Sequence, residues 1–264
     1  MPLTPRGNTH TTSRTMNLNG KIALVTGGTR GIGAAAALAF AREGADVAIA
    51  GRRDDAEAKA TRDAVRAVGR RCELITADFG KPADCARAVR ETESRLGVVD
   101  VLVHSAGGPV NGRLFEITEE QWMAAFDVHV HAIFHLCRAV IPGMRAKKEG
   151  AIITISSTAG IRALVTNVAY QAAKGAVPQV TRALAREFAG DNIRINCVAP
   201  GVIRTDFHAT MSEEQKRLNL DHRIPLKREG TTAQVADVIT MLVKNDYIAG
   251  ETVVIDGGLT MRIA

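Results

Sequence analysis

Short apolar runs alternate with helical patterns along almost the whole chain, and this alternation limits the possible folds more than any other feature. A run that is apolar throughout is typical of a strand buried on both faces of a sheet. We predict strands at 21–26, 45–51, 72–78, 98–107, 150–157, 193–201 and 251–258. We predict helices at 32–43, 54–68, 82–96, 119–147 with an interruption near Pro142, a stretch that contains Tyr170 and ends near 189, a short helix within 202–230, and 232–243.

Strands that alternate with helices form a parallel sheet covered by helices on both faces. The sequence therefore predicts an α/β fold: a single doubly wound domain with a parallel sheet of about seven strands. A length of 264 residues suits one such domain better than two small ones. We expect the domain to span 16–264, after a disordered Thr-rich tail at 1–15. Ligands of such sheets bind beyond the carboxyl ends of the strands.

Composition argues against several classes of function. The formal net charge is +6, but the basic residues are interspersed with acids, as in "RRDDAEAKATRDAVRAVGRR" at 52–71, which is typical of a solvated helix face. We therefore expect no nucleic-acid partner. No apolar run approaches the roughly 18 residues that span a bilayer, so we expect no membrane association and a cytoplasmic location. Four widely spaced cysteines predict buried, reduced thiols and no metal site: Cys72, Cys85, Cys137 and Cys197.

A glycine-rich turn, "TGGTRGIG" at 26–33, joins the first predicted strand to the first helix. Glycines at 27, 31 and 33 allow a tight turn, a close approach to a pyrophosphate and packing of the helix on the sheet. The helix start then offers free N–H groups to the phosphates. A tight turn needs glycine for steric reasons alone, so the position between strand and helix carries the interpretation of a dinucleotide site.

The end of the second strand distinguishes the two nicotinamide dinucleotides. An acid there binds the ribose hydroxyls of NAD, whereas an arginine accepts the 2′-phosphate of NADP. This chain has Arg52 and Arg53 at that point, and Arg30 lies in the glycine turn. We predict NADP(H) as the favoured cofactor, with NAD(H) possible. The alternative is that Arg52 and Arg53 only begin a surface helix, paired with the acids at 54 and 55.

The segment "YQAAK" places Tyr170 and Lys174 four residues apart on one helix face. A nearby ammonium favours the phenolate, so we expect Lys174 to lower the pKa of Tyr170 and make it a general acid or base near neutral pH. Ser157 ends the preceding strand, where its hydroxyl can hydrogen-bond a substrate carbonyl beside Tyr170. Taken alone, this spacing also fits an ordinary surface helix, and Ser157 fits a helix cap.

Taken together, these motifs resemble the short-chain dehydrogenase/reductase family from residue 18 to 260. The resemblance is carried by "TGGTRGIG" at 26–33, "HSAGG" at 104–108, "ISS" at 155–157, "YQAAK" at 170–174, "NCVAPGVIRTD" at 196–206 and "VVIDGG" at 253–258. It implies a Rossmann-type domain and hydride transfer between NAD(P) and a carbonyl or alcohol. It also implies that Ser157 holds the carbonyl oxygen, Tyr170 donates the proton, and Lys174 holds the nicotinamide ribose.

The resemblance further implies a set of cofactor-binding residues: Gly27, Thr29, Arg30, Gly31, Ile32, Gly33, Arg52, Arg53, Asp78, Phe79, Ser105, Ala106, Gly107, Tyr170, Lys174, Pro200, Gly201, Ile203 and Thr205. Two positions depart from the family pattern. Where the family has Asn-Asn-Ala-Gly, this chain has His-Ser-Ala-Gly at 104–107, and where it has a fourth catalytic residue, an asparagine, this chain has His129. His129 keeps the backbone carbonyl that serves the family's proton relay, adds a titrating group to that relay, or simply packs in its helix.

Two readings of function stay open. The first is an enzyme that acts on a small carbonyl or alcohol, with 3-oxoacyl thioesters, sugars or polyols, and simple ketones as substrates, and with NAD rather than NADP as an option for the polyols. The layout is closest to the 3-oxoacyl-carrier-protein reductase type. The second is a non-catalytic, nucleotide-binding regulatory relative, which the His129 departure favours. Substrate walls are expected at 108–113, 158–168 and 203–226. The resemblance also implies a dimer or tetramer, with apolar stretches at 122–141 and 163–185 as interfaces.

Overall fold

The predicted strands pair into one parallel sheet in the computed structural model, which describes residues 15–205 and 211–261. In chain order they are β1 (Ile22–Thr26), β2 (Asp46–Gly51), β3 (Cys72–Thr76), β4 (Val101–His104), β5 (Gly150–Ile155), β6 (Ile193–Pro200) and β7 (Thr252–Ile255). Their order in the sheet is β3-β2-β1-β4-β5-β6-β7. The strand order reverses between β1 and β4, which is the topological switch point where such sheets bind ligands. The α/β, doubly wound fold is confirmed, while the proposed tail at 1–15 lies outside the described residues except for Thr15.

Helices cover both faces of this sheet. They are α1 (Gly31–Arg42), α2 (Ala56–Ala67), α3 (Pro82–Arg95), α4 (Glu119–Phe126), α5 (Ala132–Lys147), α6 (Val168–Phe188), α7 (Glu213–Leu218) and α8 (Thr232–Lys244). Alternate residues of β1 belong to two different apolar clusters, Leu24 to one and Val25 to the other. Because successive strand residues point to opposite faces, the sheet has a core on each side. All four cysteines are buried and free in these cores.

The long helical stretch after β4 is interrupted at a different place from the one predicted. Pro142 lies inside α5, and the interruption is a π-helical turn at Asp127–His131 between α4 and α5. Buried side chains on both sides of the proline, Leu136 and Met144, hold α5 against the sheet. This packing outweighs the hydrogen bond that the proline removes. Periodicity does not reveal a π turn, since only one residue is added to the helix.

This same stretch, Glu119–Lys147, is long and apolar enough to cross a membrane by length and composition alone. It is the only one of that kind in the part of the chain that the structure describes. Seven residues of α5 are buried in the fold. The apolar composition is therefore accounted for by a core helix of the sheet.

Candidate active site

The glycine turn after β1 forms a backbone cradle. Gly27 and Gly31 adopt φ of 65° and 57°, values that favour glycine. A Cβ added at Gly33 would collide with the Gly27 carbonyl, so only glycine allows α1 to pack this closely on β1. The N-cap residue of α1, Arg30, makes no side-chain cap hydrogen bond. The first turn of α1 therefore presents uncapped N–H groups, a geometry that fits a pyrophosphate.

The three candidate arginines near the β2 end differ in their partners. Arg30 forms ion pairs of 2.6 Å with Asp55 and 2.8 Å with Glu57, and Arg53 lies 3.8 Å from Asp55. Asp55 also caps α2 by accepting a hydrogen bond from the Ala58 amide. This hydrogen bond and the ion pair with Arg30 together lower the pKa of Asp55. Arg52 is exposed and has no ion pair within the described ranges.

Ser157, Tyr170 and Lys174 meet beyond the β5 end. The Ser157 side chain hydrogen-bonds the Tyr170 phenol, and it also caps the turn Thr158–Gly160 by accepting from the Ala159 amide at 3.1 Å. Lys174 Nζ lies 5.7 Å from the centre of the Tyr170 ring and donates to the Ile155 carbonyl at 2.8 Å. The structure therefore brings together the three side chains that the sequence singled out.

Close packing between β5 and α6 fixes this arrangement. Ser156 Oγ donates to the Lys174 carbonyl at 2.7 Å, which ties the strand end to the helix directly. A Cβ added at Gly160 would collide with the same carbonyl group of Lys174. Glycine at 160 is thus required for the turn after Ser157 to reach the helix that carries Tyr170 and Lys174.

Burial dominates the ionisation of this group of residues. It raises the pKa of Tyr170 to about 12, and the Ser157 hydrogen bond only partly opposes this effect. Burial likewise lowers the pKa of Lys174 to about 8. The net shift of the Tyr170 pKa is therefore upward, whereas the sequence predicted a downward shift towards neutral pH. The Lys174 ammonium is bound to the Ile155 carbonyl, and the desolvation of the phenolate outweighs its field.

The other residues named for the cofactor lie in the glycine turn or follow strand ends. Thr29 and Ile32 are in the glycine turn, Asp78 and Phe79 follow β3, Ser105, Ala106 and Gly107 follow β4, and Pro200, Gly201, Ile203 and Thr205 lie at and after the end of β6. Carboxyl ends of parallel strands share one edge of the sheet, so these residues share the edge that holds the glycine turn and Ser157.

A cavity of about 670 Å³ lies beside Ser157 and Tyr170, although neither residue lines it. Its walls come from the loop after β4 and from the segments that follow Ser157 and surround Tyr170: Arg113, Leu114, 159–166, Val168, Gln171 and Ala172. This lining overlaps two of the expected substrate walls, 108–113 and 158–168. The third, 203–226, lies partly outside the described residues, at 206–210. Among the lining residues, two are arginines and none is acidic.

Comparisons with known proteins agree with this geometry. The family model described as enoyl-(acyl carrier protein) reductase matches residues 27–260. The 3-oxoacyl-[acyl-carrier-protein] reductase of Escherichia coli is 35% identical over 248 residues, 93% of this chain and 100% of that protein. The chain belongs to the short-chain dehydrogenase/reductase family. It is thus an oxidoreductase of the group that acts on carbonyl and alcohol groups.

Proteins that convert sugars show a similarity to this chain that is comparable to that of the acyl-carrier-protein reductase. Glucose 1-dehydrogenase of Gluconobacter oxydans is 37% identical over 246 residues, 92% of each chain. The solved structure of L-sorbose reductase from Gluconobacter frateurii, complexed with NADPH and L-sorbose, is 29% identical with a TM-score of 0.86. It covers 94% of this chain and 100% of that one. Similarity alone therefore does not choose between acyl and sugar substrates.

Two of the residues that depart from the family pattern are histidines buried beside the site. His129, 2% exposed, lies in the π turn with its ring edge-on to Tyr170 at 5.5 Å between centroids, and its Nε2 donates to the Gly108 carbonyl at 3.1 Å. His104, 3% exposed, ends β4 and donates from Nε2 to the Val128 carbonyl of the π turn at 2.9 Å. Sequence reasoning missed this contact of His104, because no local pattern reveals it.

No metal site is indicated in residues 15–205 and 211–261. These ranges contain no group of three or more His, Cys, Asp or Glu side chains that could hold a metal ion. The titratable groups that interact with Tyr170 or Lys174 include the buried Cys197 thiol and two imidazoles that already donate to backbone carbonyls.

Proposed function

We propose that the protein is an NADP(H)-dependent oxidoreductase that converts a ketone to a secondary alcohol, with Ser157, Tyr170 and Lys174 as its catalytic residues. The observation that carries the proposal is the meeting of these three side chains at the sheet edge that also holds the glycine cradle. A binding-only protein would need the cradle but not a serine hydroxyl on a phenol above a buried ammonium. This argues against the regulatory alternative.

A nicotinamide bound at this edge would supply the hydride that adds to the carbonyl carbon. The Ser157 hydroxyl donates a hydrogen bond to the substrate carbonyl oxygen and orients it towards Tyr170. The Tyr170 phenol gives its proton to that oxygen as negative charge develops there. With a pKa of about 12, the phenol is fully protonated at neutral pH, which supports action in the direction of reduction. The Lys174 ammonium then stabilises the phenolate that remains.

Our choice of NADP over NAD rests on the β2 end. Arg52 is exposed there without a carboxylate partner in the described residues, so its guanidinium is available to a 2′-phosphate. Arg30 can contribute only by exchanging Asp55 or Glu57 for the phosphate. The L-sorbose reductase neighbour was solved with NADPH, which supports a nicotinamide cofactor of this type.

For the substrate we favour a 3-oxoacyl thioester. The cavity beside Ser157 combines apolar side chains, among them Leu114 and Ile161, with the guanidiniums of Arg113 and Arg162 and no acid. An acyl chain attached to an anionic carrier suits this lining better than an uncharged polyol does. Reduction of a sugar is the second candidate, favoured by the likeness to L-sorbose reductase and glucose 1-dehydrogenase.

A substrate panel tests these assignments. We would follow oxidation of NADPH and of NADH with 3-oxoacyl thioesters, ketoses and simple ketones, using wild type and Ser157→Ala. The proposal expects turnover of at least one carbonyl class with NADPH, and its near-complete loss in the variant. Binding of NADPH without turnover of any carbonyl would favour the regulatory alternative. A preference for ketoses over thioesters would reverse the order of the two substrates.

We also propose a cytoplasmic dimer or tetramer. The free, buried thiols support a reducing compartment. On the helical stretch at 122–141, Met123 and Phe134 are 45% and 52% exposed, which supports a subunit interface there. Light scattering after gel filtration tests the assembly. A monomer at micromolar concentration would contradict it.

A further inference from the structure

We propose that His104 and His129 act together as a neutral histidine clamp, which holds the π turn Asp127–His131 against the β4 end and thereby positions the 105–108 loop beside Tyr170. Both residues are positioning residues, and neither passes a proton to the substrate. The inference deepens the proposed function, since the loop and Tyr170 belong to the same site.

The hydrogen-bond network determines the tautomer of His104. A carbonyl can only accept, so the bond to the Val128 oxygen at 2.9 Å requires hydrogen on Nε2. Nδ1 then accepts from the Thr26 hydroxyl at 2.8 Å, and that hydroxyl accepts in turn from the Ala106 amide at 3.3 Å. One continuous chain of bonds thus runs from the loop after β4, through β1, to the π turn. Protonation of Nδ1 would remove the acceptor for Thr26.

His129 completes the clamp from the other side. Its Nε2 carries the hydrogen that the Gly108 carbonyl accepts at 3.1 Å. A Cβ added at Gly107 would collide with its ring, so the imidazole lies directly against the loop. The opposite contact is the Tyr170 ring, at 5.5 Å and 83° between planes. His129 therefore spans the gap between the loop and the catalytic tyrosine.

The environment keeps both imidazoles neutral. Burial, helped by the Lys174 ammonium, lowers the pKa of His104 to about 4 and that of His129 to about 2. The groups that face them are each other, Tyr170 and Lys174. A general acid or base needs a pKa near the working pH, so the location of these residues suits positioning and not proton relay. Nδ1 of His129 has no hydrogen-bond partner in the described residues.

Nitrogen-15 NMR of the full-length protein tests the clamp without turnover. Both imidazoles are expected to remain neutral Nε2–H tautomers from pH 5.5 to 8. A His104 or His129 that titrates in this window, or that carries its hydrogen on Nδ1, would overturn the proposal. Because no substrate is involved, this arm stands even if the reductase assignment fails.

Variants test the consequence for the site. His129→Leu cannot donate to Gly108, and we expect about a tenfold loss in both NADPH affinity and kcat. His129→Gln keeps an N–H donor of similar reach and should lie within about threefold of wild type. The matched control, His131→Asn, changes an exposed histidine of the same turn that hydrogen-bonds Asp127 and packs on the Phe126 ring, and should leave both values unchanged. If the Gln variant loses as much as the Leu variant, or the Leu variant behaves like the control, the clamp is refuted.

A double-mutant cycle tests whether the two histidines act together. His104→Leu alone is expected to cost about tenfold in kcat, and the double variant His104→Leu/His129→Leu should cost clearly less than the product of the two single losses. Losses that multiply would show two independent residues and contradict the clamp. Where a variant unfolds, the NMR measurement on the wild type decides the question.

Discussion

Raising the pH from 7 to 9 should lower kcat/KM for NADPH about tenfold, because Lys174 loses its charge in this range. Burial lowers the pKa of its ammonium to about 8. About 90% of the lysine is therefore charged at pH 7 and about 10% at pH 9. Tyr170, with a pKa of about 12, does not ionise over this interval and cannot cause the loss. The value of kcat/KM falls as the pH rises, because only the charged lysine stabilises the phenolate.

The assay measures initial rates of ketone reduction at saturating carbonyl and limiting NADPH. Under these conditions kcat/KM reports the ionisations of the cofactor-free enzyme, which is the state described by the structure. Lys174→Arg is the matched variant, because a guanidinium stays charged across the whole range. Its lower activity should be independent of pH from 7 to 9. A flat wild-type profile, or an equal fall in the variant, would refute the assignment of the ionisation to Lys174.

Four further predictions concern other parts of the site. Tyr170→Phe should lower kcat by about 10²- to 10⁴-fold, while the NADPH affinity measured by fluorescence titration stays unchanged. Normal turnover would exclude Tyr170 as the proton donor. Arg52→Asp should shift the kcat/KM ratio towards NADH, and an unchanged ratio would contradict the 2′-phosphate contact. Gly33→Ala should abolish dinucleotide binding measured by calorimetry, since its Cβ would collide with Gly27. The free energy of unfolding, measured by chemical denaturation, should fall by about 4 kcal/mol from pH 7 to pH 5. Unfolding lets His104 and His129 take up protons below their ordinary pKa of about 6.5. If the free energy of unfolding depends on pH to the same extent when both histidines are replaced by Leu, other groups cause the loss.

Features written in local patterns were predictable from the sequence. The strands are mostly apolar and helices separate them along the chain, so periodicity alone indicates a parallel doubly wound sheet. Tyr170 and Lys174 come together because residues four apart share a helix face. Ser157 could be assigned because it directly follows the strand next to that helix. In each case one helix or strand determines the distance between the residues from their separation in the sequence.

Features that depend on tertiary contacts were not predictable. The π turn adds one residue to a helix whose apolar pattern continues through it, so Pro142 was the only visible candidate for an interruption. His104 reaches Val128 across 24 residues. The pKa of Tyr170 depends on burial by segments distant in the chain, which no spacing reveals. Arg30 is likewise predicted from the sequence to be available to a phosphate, whereas the structure pairs it with Asp55 and Glu57.

The neutral histidines also affect the electrostatics of catalysis. Lys174 already lowers the pKa of both imidazoles, so by reciprocity a proton on either would lower the pKa of Lys174 further and reduce its charge near neutral pH. Because His104 and His129 stay uncharged, Lys174 is the one group among these four, counting Tyr170, that carries charge at pH 7. A buried ammonium with a pKa of about 8 can then support the phenolate over the physiological range. Replacing the family's asparagines by histidines is compatible with catalysis for this reason: each imidazole donates one hydrogen bond and adds no charge.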